Sequence, residues 1–262
     1  MGRTGRSRFG IALGLAVVLI AGAVVAVLAG ADSGQTSAEP RLPPSPPSAL
    51  APKNVPLGAR PLAHWAPVLA ATTARERPAD PTLVAEVPAQ TPEGTTNIVL
   101  VTGAAAPRAG KLWVHVRLPS LPEDAHGWVR RSALGGYSPV RTRLVVDRTR
   151  LAATLFRDER RVFRARVGIG APGTTTPGGD FYVRNRLEKY QSPFYGPIAF
   201  GTSARSTEVS DWPAGGFVGI HGTNRPDLIP GRISHGCIRL SNPDILRLAR
   251  LMPVGTLVTV RR

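Results

Sequence analysis

The segment "GRISHGCIRLSNPD", residues 231–244, contains the only cysteine of the chain, Cys237. His235 lies two residues before this cysteine and Arg239 two residues after it, and a second histidine, His221, follows the apolar run "FVGI" upstream. A thiol with a pKa of about 8.5 is mostly protonated at neutral pH, unless a neighbouring base or cation favours the thiolate. The reactivity of Cys237 is therefore expected to depend on whether one of these histidines or Arg239 stabilises its thiolate.

Three interpretations of this cysteine stay open on chemistry alone. Nucleophilic catalysis requires a base within hydrogen-bond reach and a group that orients the base, and His221 is the candidate base because it ends a separate predicted strand. A metal site would use His221, His235 and Cys237, which supply the N and S donors of a catalytic zinc site but no motif for a fourth ligand. The third interpretation is a buried, inert cysteine.

Three blocks of the sequence together resemble the L,D-transpeptidase catalytic domain of bacterial cell-wall synthesis. The resemblance extends over roughly residues 141–262 and is far more specific than a lone cysteine. It implies a β-rich catalytic domain that needs neither a metal ion nor a cofactor. The blocks are "TTTPGGDF" at 174–181, "IHGTNRP" at 220–226 and "SHGCIRLSNPD" at 234–244.

The resemblance assigns a role to each residue of these blocks that carries chemistry. Cys237 is implied to be the nucleophile, His221 the general base, and the backbone carbonyl of Gly222 the group that orients the base. The backbone N–H groups of Gly236 and Cys237 are implied to form the oxyanion hole. The residues implied to shape the substrate pocket are Ser234, His235 and Arg239, with Arg239 facing substrate carboxylates.

The activity that follows from the resemblance is a peptidoglycan L,D-transpeptidase, which forms 3→3 cross-links between stem peptides through a cysteine thioester. Carbapenem β-lactams are expected to inhibit such an enzyme. Two alternatives remain: an L,D-carboxypeptidase that hydrolyses the same bond, and a wall-binding protein whose catalytic domain is inactive. An amine acceptor gives the transpeptidase, and water as acceptor gives the carboxypeptidase.

The charge of the chain agrees with an anionic partner. Lys and Arg number 33 against 17 Asp and Glu, a formal net charge of +16. Net charge indicates partners rather than fold. With the resemblance, the expected partners are the carboxylates of wall peptides and not nucleic acid.

The N-terminus predicts export. Arg3, Arg6 and Arg8 precede a charge-free apolar run, residues 11–30, that is long enough to span a bilayer. Positive charge before the span predicts a cytoplasmic N-terminus and an extracytoplasmic remainder. We interpret residues 1–31 as a signal anchor or a cleaved signal peptide, so the protein is expected in the cell envelope, anchored to the membrane or secreted to the wall.

Composition divides the rest of the chain into three parts. Residues 32–80 are rich in Pro and Ala and predict a linker, with a short helix at 63–78. Residues 81–137 contain short β-branched and aromatic runs and resemble, more loosely, the Src-homology-3-like barrels of bacterial wall enzymes. Residues 138–262 are the predicted catalytic domain.

Local patterns predict a mainly β catalytic domain. In "VFRARVGIG", residues 162–170, apolar side chains alternate with Arg164 and Arg166, which is typical of a strand with one exposed face. Short connections predict an antiparallel sheet, and residues 184–216 a long loop. One C-terminal helix is predicted, with Asn242 as N-cap and Pro243 at its first position.

Overall fold

A computed structural model of the chain describes residues 63–122, 124–188, 192–206, 212 and 216–262. The predicted membrane span at 11–30 lies outside these residues, as does the predicted linker up to residue 62. Within the described ranges, no helix has the length and apolar character needed to cross a bilayer. These ranges form two β-sheets and one α-helix, which confirms the mainly β prediction.

The first sheet has seven strands, and every neighbouring pair in it is antiparallel. Valines that point to one face fill its core, because successive side chains on a strand point to opposite faces. The spatial order is β3-β2-β6-β5-β4-β1-β7. Its strands are β1 (Ala63–Pro67), β2 (Thr72–Arg75), β3 (Leu83–Val87), β4 (Ile98–Arg108), β5 (Lys111–Arg117), β6 (His126–Arg130) and β7 (Ser138–Val140).

The beginning of this sheet differs from the sequence prediction. The predicted linker at 32–80 and helix at 63–78 overlap with β1 and β2, so the sheet extends beyond the predicted range of 81–137. The physical reason is pairing with distant residues: Trp65 of β1 lies opposite Leu100 of β4 and Ser138 of β7. The resemblance to Src-homology-3-like barrels stays a prediction.

The second sheet has ten strands in the order β10-β9-β8-β17-β12-β13-β14-β16-β11-β15. One helix, α1 (Asn242–Leu251), packs on it, and short 3₁₀ helices occur at Arg131–Ala133, Pro193–Tyr195 and Pro226–Leu228. The strands are β8 (Thr142–Asp147), β9 (Ala152–Arg157), β10 (Arg160–Arg166), β11 (Gly168–Gly170), β12 (Gly179–Leu187), β13 (Ala199–Arg205), β14 (Phe217–His221), β15 (Gly231–Ser234), β16 (Ile238–Arg239) and β17 (Leu257–Arg261).

The prediction of an antiparallel sheet is wrong for three strand pairs. β8 and β17, β11 and β15, and β14 and β16 are parallel. The prediction assumed that parallel pairing needs a crossover helix. Residues 222–237 instead connect β14 to β16 through a loop, a 3₁₀ helix and β15, and this is enough chain to reverse direction twice.

Two further patterns are resolved by the second sheet. Phe163, Ala165 and Val167 are buried while Arg164 and Arg166 are exposed, which confirms the predicted alternation. The predicted loop at 184–216 is in part strand, because β12 continues to Leu187 and β13 begins at Ala199. The connection between Leu187 and Ala199 is therefore anchored at both ends by strands of the sheet.

The two sheets belong to one compact unit. A small apolar cluster joins them, in which Tyr182 of β12 packs with Ile98 and Leu100 of β4. The Tyr182 hydroxyl donates a hydrogen bond to the Ile98 carbonyl at 3.4 Å. The first sheet is thus packed against the second rather than tethered to it.

Helix α1 begins one residue earlier than the sequence suggested. Ser241, not Asn242, is the N-cap: its Oγ accepts from the Asp244 N–H at 3.3 Å and donates to Asp244 Oδ2 at 2.8 Å. Serine followed by an acidic residue three positions later is a capping pattern, and Asn242 and Pro243 then occupy the first helical turn. This cap orients the segment that follows Cys237.

Removing the cap should weaken the domain measurably. Ser241→Ala is expected to lower the free energy of unfolding by about 1 kcal/mol, because the Asp244 N–H loses its partner. Urea denaturation of the variant and of Ser132→Ala, an exposed serine on a 3₁₀ helix, provides the comparison. The control should stay within about 0.5 kcal/mol of the parent protein; equal midpoints for both variants would contradict the capping role.

Candidate active site

The parallel pairing of β14 with β16 brings the cysteine to the histidine. Ile220 lies opposite Ile238, and His221 opposite Arg239. Cys237 directly precedes β16, and its Sγ accepts a hydrogen bond from the Gly219 N–H of β14 at 3.3 Å. Because side chains in register on parallel strands share a face and alternate along each strand, this pairing gives Cys237, His221 and Arg239 a common face of the sheet.

Both reactive side chains are largely withdrawn from solvent. Cys237 is 3% exposed and His221 2% exposed. His221 Nδ1 lies 2.6 Å from the carbonyl oxygen of Gly222. A carbonyl oxygen can only accept, so Nδ1 is the protonated nitrogen of the neutral ring and Nε2 carries the basic lone pair. The Gly222 carbonyl therefore selects the tautomer that a general base needs.

An aromatic side chain that no sequence motif indicates packs against this base. Tyr195, on the 3₁₀ helix Pro193–Tyr195, has its ring centroid 4.6 Å from that of His221 at an interplanar angle of 53°. Tyr195 is itself buried and makes an edge contact with Trp212 at 5.7 Å. The imidazole is thus restrained by a ring contact as well as by its hydrogen bond to Gly222.

The loop that carries Cys237 is held by two threonines of the "TTTPGGDF" block. The fully buried Thr176 donates through Oγ1 to the Gly236 carbonyl at 2.8 Å and accepts from the Gly170 N–H at 2.9 Å. Thr174 donates to the Ser234 carbonyl at 3.0 Å. The sequence identified the block, but only the fold shows that it braces the cysteine loop.

Ser234 and Gly236, which the sequence predicted as pocket and oxyanion residues, are bonded to each other within this loop. The buried Ser234 hydroxyl donates to the Cys237 carbonyl at 2.5 Å and accepts from the Gly236 N–H at 3.2 Å. An oxyanion that used the Gly236 N–H would have to share it with Ser234. The placement gives Ser234 a part in shaping the loop.

His235 and Arg239, the other predicted pocket residues, lie in different environments. His235 is exposed, whereas Arg239 is partly buried. Arg239 Nε is buried and has no hydrogen-bond partner among the described residues. Within the same residues, no three His, Cys, Asp or Glu side chains are arranged to hold a metal ion.

Asn242, at the start of α1, also contacts the segment that follows His221. Its Oδ1 accepts a hydrogen bond from the Thr223 N–H at 3.0 Å. A Cβ atom added to Gly222 would lie 2.4 Å from this oxygen, which is closer than such atoms approach. The amide therefore requires a glycine at 222 and steadies the peptide whose carbonyl orients His221.

The brace on the cysteine loop generates a stability prediction. Thr176→Val should lower the free energy of unfolding by about 2–3 kcal/mol, because the Gly170 N–H and the Gly236 carbonyl both lose a buried partner. The matched control is Thr175→Val, since Thr175 is the adjacent residue of the same type and is exposed. Chemical denaturation followed by tryptophan fluorescence measures both; a similar small loss in the two variants would contradict the brace.

Comparison with known proteins finds similarity over the part of the chain that forms most of the second sheet. The family model for the YkuD L,D-transpeptidase catalytic domain matches residues 141–260. The chain is 38% identical over 96 residues to the L,D-transpeptidase YkuD of Bacillus subtilis, covering 37% of this chain and 51% of that protein. It is 33% identical over 118 residues to the YkuD protein of Bacillus licheniformis, covering 45% and 64%.

A solved structure also matches a part of the chain. The Ldtfm–avibactam carbamoyl enzyme is 29% identical, with a TM-score of 0.37, over 46% of this chain and 49% of that one. The chain spans between half and two thirds of the length of the curated relatives described above. The resemblance seen in the sequence is confirmed by the family model, since the L,D-transpeptidase catalytic domain is the family whose model matches residues 141–260.

Proposed function

We propose that the protein is a peptidoglycan L,D-transpeptidase that forms 3→3 cross-links between stem peptides through a thioester on Cys237. One observation carries the proposal: β14 and β16 place Cys237 and His221 on a common face, with His221 Nδ1 engaged by the Gly222 carbonyl. A nucleophile, a base and a group that orients the base are the parts that covalent catalysis requires.

The donor half-reaction uses the two side chains in turn. His221 Nε2 takes the proton of the Cys237 thiol, and the thiolate attacks the carbonyl carbon of the third residue of a tetrapeptide stem. The tetrahedral intermediate collapses with cleavage of the C–N bond, and the imidazolium returns the proton to the departing amine of D-alanine. The products are free D-alanine and a thioester on Cys237.

The acceptor half-reaction reverses these roles. The side-chain amine of a neighbouring stem attacks the thioester carbonyl, His221 accepts the proton released by that nitrogen, and the thiolate departs. A new amide bond forms and Cys237 regains its proton. Backbone N–H groups at Gly236 and Cys237 stabilise both oxyanions, with the Gly236 N–H shared between the oxyanion and Ser234 Oγ, and a donor of this kind contributes about 3 kcal/mol in comparable sites.

Arg239 is the residue we assign to substrate carboxylates. It shares the face of Cys237, and its Nε is buried without a partner among the described residues. Guanidinium groups bind carboxylates with two parallel hydrogen bonds when the approach allows it. The stem peptide supplies such a carboxylate at its terminal D-alanine.

The cellular location we propose follows from the sequence. Wall stem peptides lie outside the membrane, and the charge-free run at 11–30 behind Arg3, Arg6 and Arg8 is suited to export with or without a retained anchor. The net charge of +16 favours approach to the anionic wall. The protein thus acts in the cell envelope on the extracytoplasmic side.

Carbapenem acylation tests the assigned roles of the site. Cys237 should form a covalent adduct, because the strained lactam carbonyl imitates the donor carbonyl and the drug carries a carboxylate for Arg239. His221→Ala should slow acylation by about 10²-fold, as expected when a positioned proton acceptor is lost. Intact-mass analysis over time measures the rate, with Cys237→Ala as the blank.

Two further variants sharpen this test. Arg239→Ala should mainly weaken capture of the drug, because a charge-assisted contact of about 1.5–3 kcal/mol is removed. His235→Ala is the matched histidine control, since His235 is exposed and should change the rate little. If His235→Ala abolished the adduct while His221→Ala formed it at the parental rate, the assignment of the base would be wrong.

A further inference from the structure

A carboxylate from the first sheet is buried against the second. Glu93 lies in the turn between β3 and β4, and its side chain is only 3% exposed. The turn is tight: the Thr91 N–H donates to the Thr95 carbonyl at 2.8 Å, and the hydroxyls of these two threonines lie 2.8 Å apart. These hydrogen bonds hold the turn, and so fix the position of Glu93.

Two side chains of β12 and one from the segment between β13 and β14 converge on this acid. Oε1 of Glu93 accepts from Arg184 Nη2 at 2.6 Å and from Trp212 Nε1 at 2.5 Å, and Oε2 accepts from Asn185 Nδ2 at 3.0 Å. Burial acts to raise the pKa of Glu93, but the cation and the indole N–H outweigh it and hold that pKa below its usual range. The carboxylate is therefore ionised and fully engaged at neutral pH.

The partners of Glu93 are the side chains that cover β14. The Trp212 ring lies so close to Gly219 that a Cβ atom built there would be 2.2 Å from a ring carbon. The Arg184 guanidinium lies 3.8 Å from the ring centroid of Phe217, the first residue of β14. Glu93 joins the two covering side chains by hydrogen bonds to both.

The third partner reaches β14 through its neighbour strand. Asn185 Oδ1 accepts a hydrogen bond from the Gly201 N–H of β13 at 3.1 Å. Gly201 lies directly opposite Gly219 in the ladder between β13 and β14. The three side chains that bind the Glu93 carboxylate therefore all contact the same part of the sheet, where β13 and β14 pair near Gly201 and Gly219.

This part of β14 contains the groups that position Cys237 and His221. The Gly219 N–H donates to Cys237 Sγ, and His221 ends the same strand two residues later. Trp212 also contacts Tyr195, which packs on the His221 ring. Glu93 is thus linked to Cys237 through Trp212 and Gly219, and to His221 through Trp212 and Tyr195.

We infer that Glu93 is a positioning residue of the active site, which acts through Trp212 and Arg184 to hold β14 in register with Cys237. The inference rests on the proposed function, in which Cys237 is the nucleophile. It makes the first sheet a structural part of the catalytic site instead of an independent wall-binding module. A shift of β14 would lengthen the hydrogen bond from Gly219 to the sulfur and tilt His221, and rates fall steeply with such misplacement.

The decisive variant is Trp212→Phe, because it keeps an aromatic side chain at position 212 and removes the N–H that Glu93 accepts from. Glu93→Gln is the companion change, which removes the charge opposite Arg184. The matched control is Tyr182→Phe, which removes the hydroxyl contact to Ile98 between the same two sheets. The control disturbs sheet packing at a place that does not touch β14.

Two rates are to be measured on the full chain, together with the unfolding midpoint. One is carbapenem acylation of Cys237, divided into drug affinity and maximal rate; the other is alkylation of Cys237 by iodoacetamide across pH. Trp212→Phe should lower the maximal acylation rate about tenfold with affinity unchanged. Its alkylation profile should move to higher pH, because the Gly219 N–H stabilises the thiolate. Tyr182→Phe should change neither.

Coupling between the two residues gives a second readout. If Glu93 acts through Trp212, the double variant should acylate no more than about twofold slower than the slower single variant, since residues in one network are not additive. Trp212→Phe alone decides the inference if Glu93→Gln does not fold.

The outcomes separate the two proposals. Parental acylation rates and an unshifted alkylation profile in folded Trp212→Phe overturn the inference, as does an equal effect in Tyr182→Phe. A parent protein that iodoacetamide alkylates but no carbapenem acylates contradicts the proposed function. In that case the alkylation profile of Trp212→Phe still decides whether Glu93 and Trp212 position the thiol.

Discussion

The parallel ladder between β14 and β16 is the constraint on which the site depends. These two short strands pair over only two residue positions, yet they determine that Cys237 lies beside Gly219 and on the face of His221. Parallel strands cannot be joined by a tight turn, so residues 222–237 must leave the sheet and return. Most of the polar contacts of the site stabilise that excursion: Asn242 near its start, and Thr174 and Thr176 near its end.

The sequence was informative where chemistry is local. A single cysteine between His235 and Arg239, with the "IHGTNRP" and "TTTPGGDF" blocks, was sufficient to predict the family, and the alternation around Phe163 was sufficient to predict a strand. The capping serine at 241 was also readable, although Asn242 was predicted as the N-cap because it precedes a proline.

Features that depend on residues far apart in the chain were missed. Tyr195 has no motif of its own, and its contact with His221 follows from the return of the chain between β12 and β13. The strand at Ala63–Pro67 gains its partners from β4 and β7, which local composition does not contain. Glu93 lies in an ordinary polar turn, and only the packing of the two sheets shows that its charge is buried opposite Arg184. Removing one member of such a pair is costly because the other charge stays buried.

The central claim is that Cys237 becomes acylated by a stem peptide, and intact-mass spectrometry of the full chain mixed with a disaccharide-tetrapeptide measures it. Rapid acid quenching should show the protein heavier by the donor less D-alanine, with free D-alanine in equal amount. Cys237→Ala should show neither. An adduct on the alanine variant, or release of D-alanine without any dependence on Cys237, would contradict covalent catalysis at this cysteine.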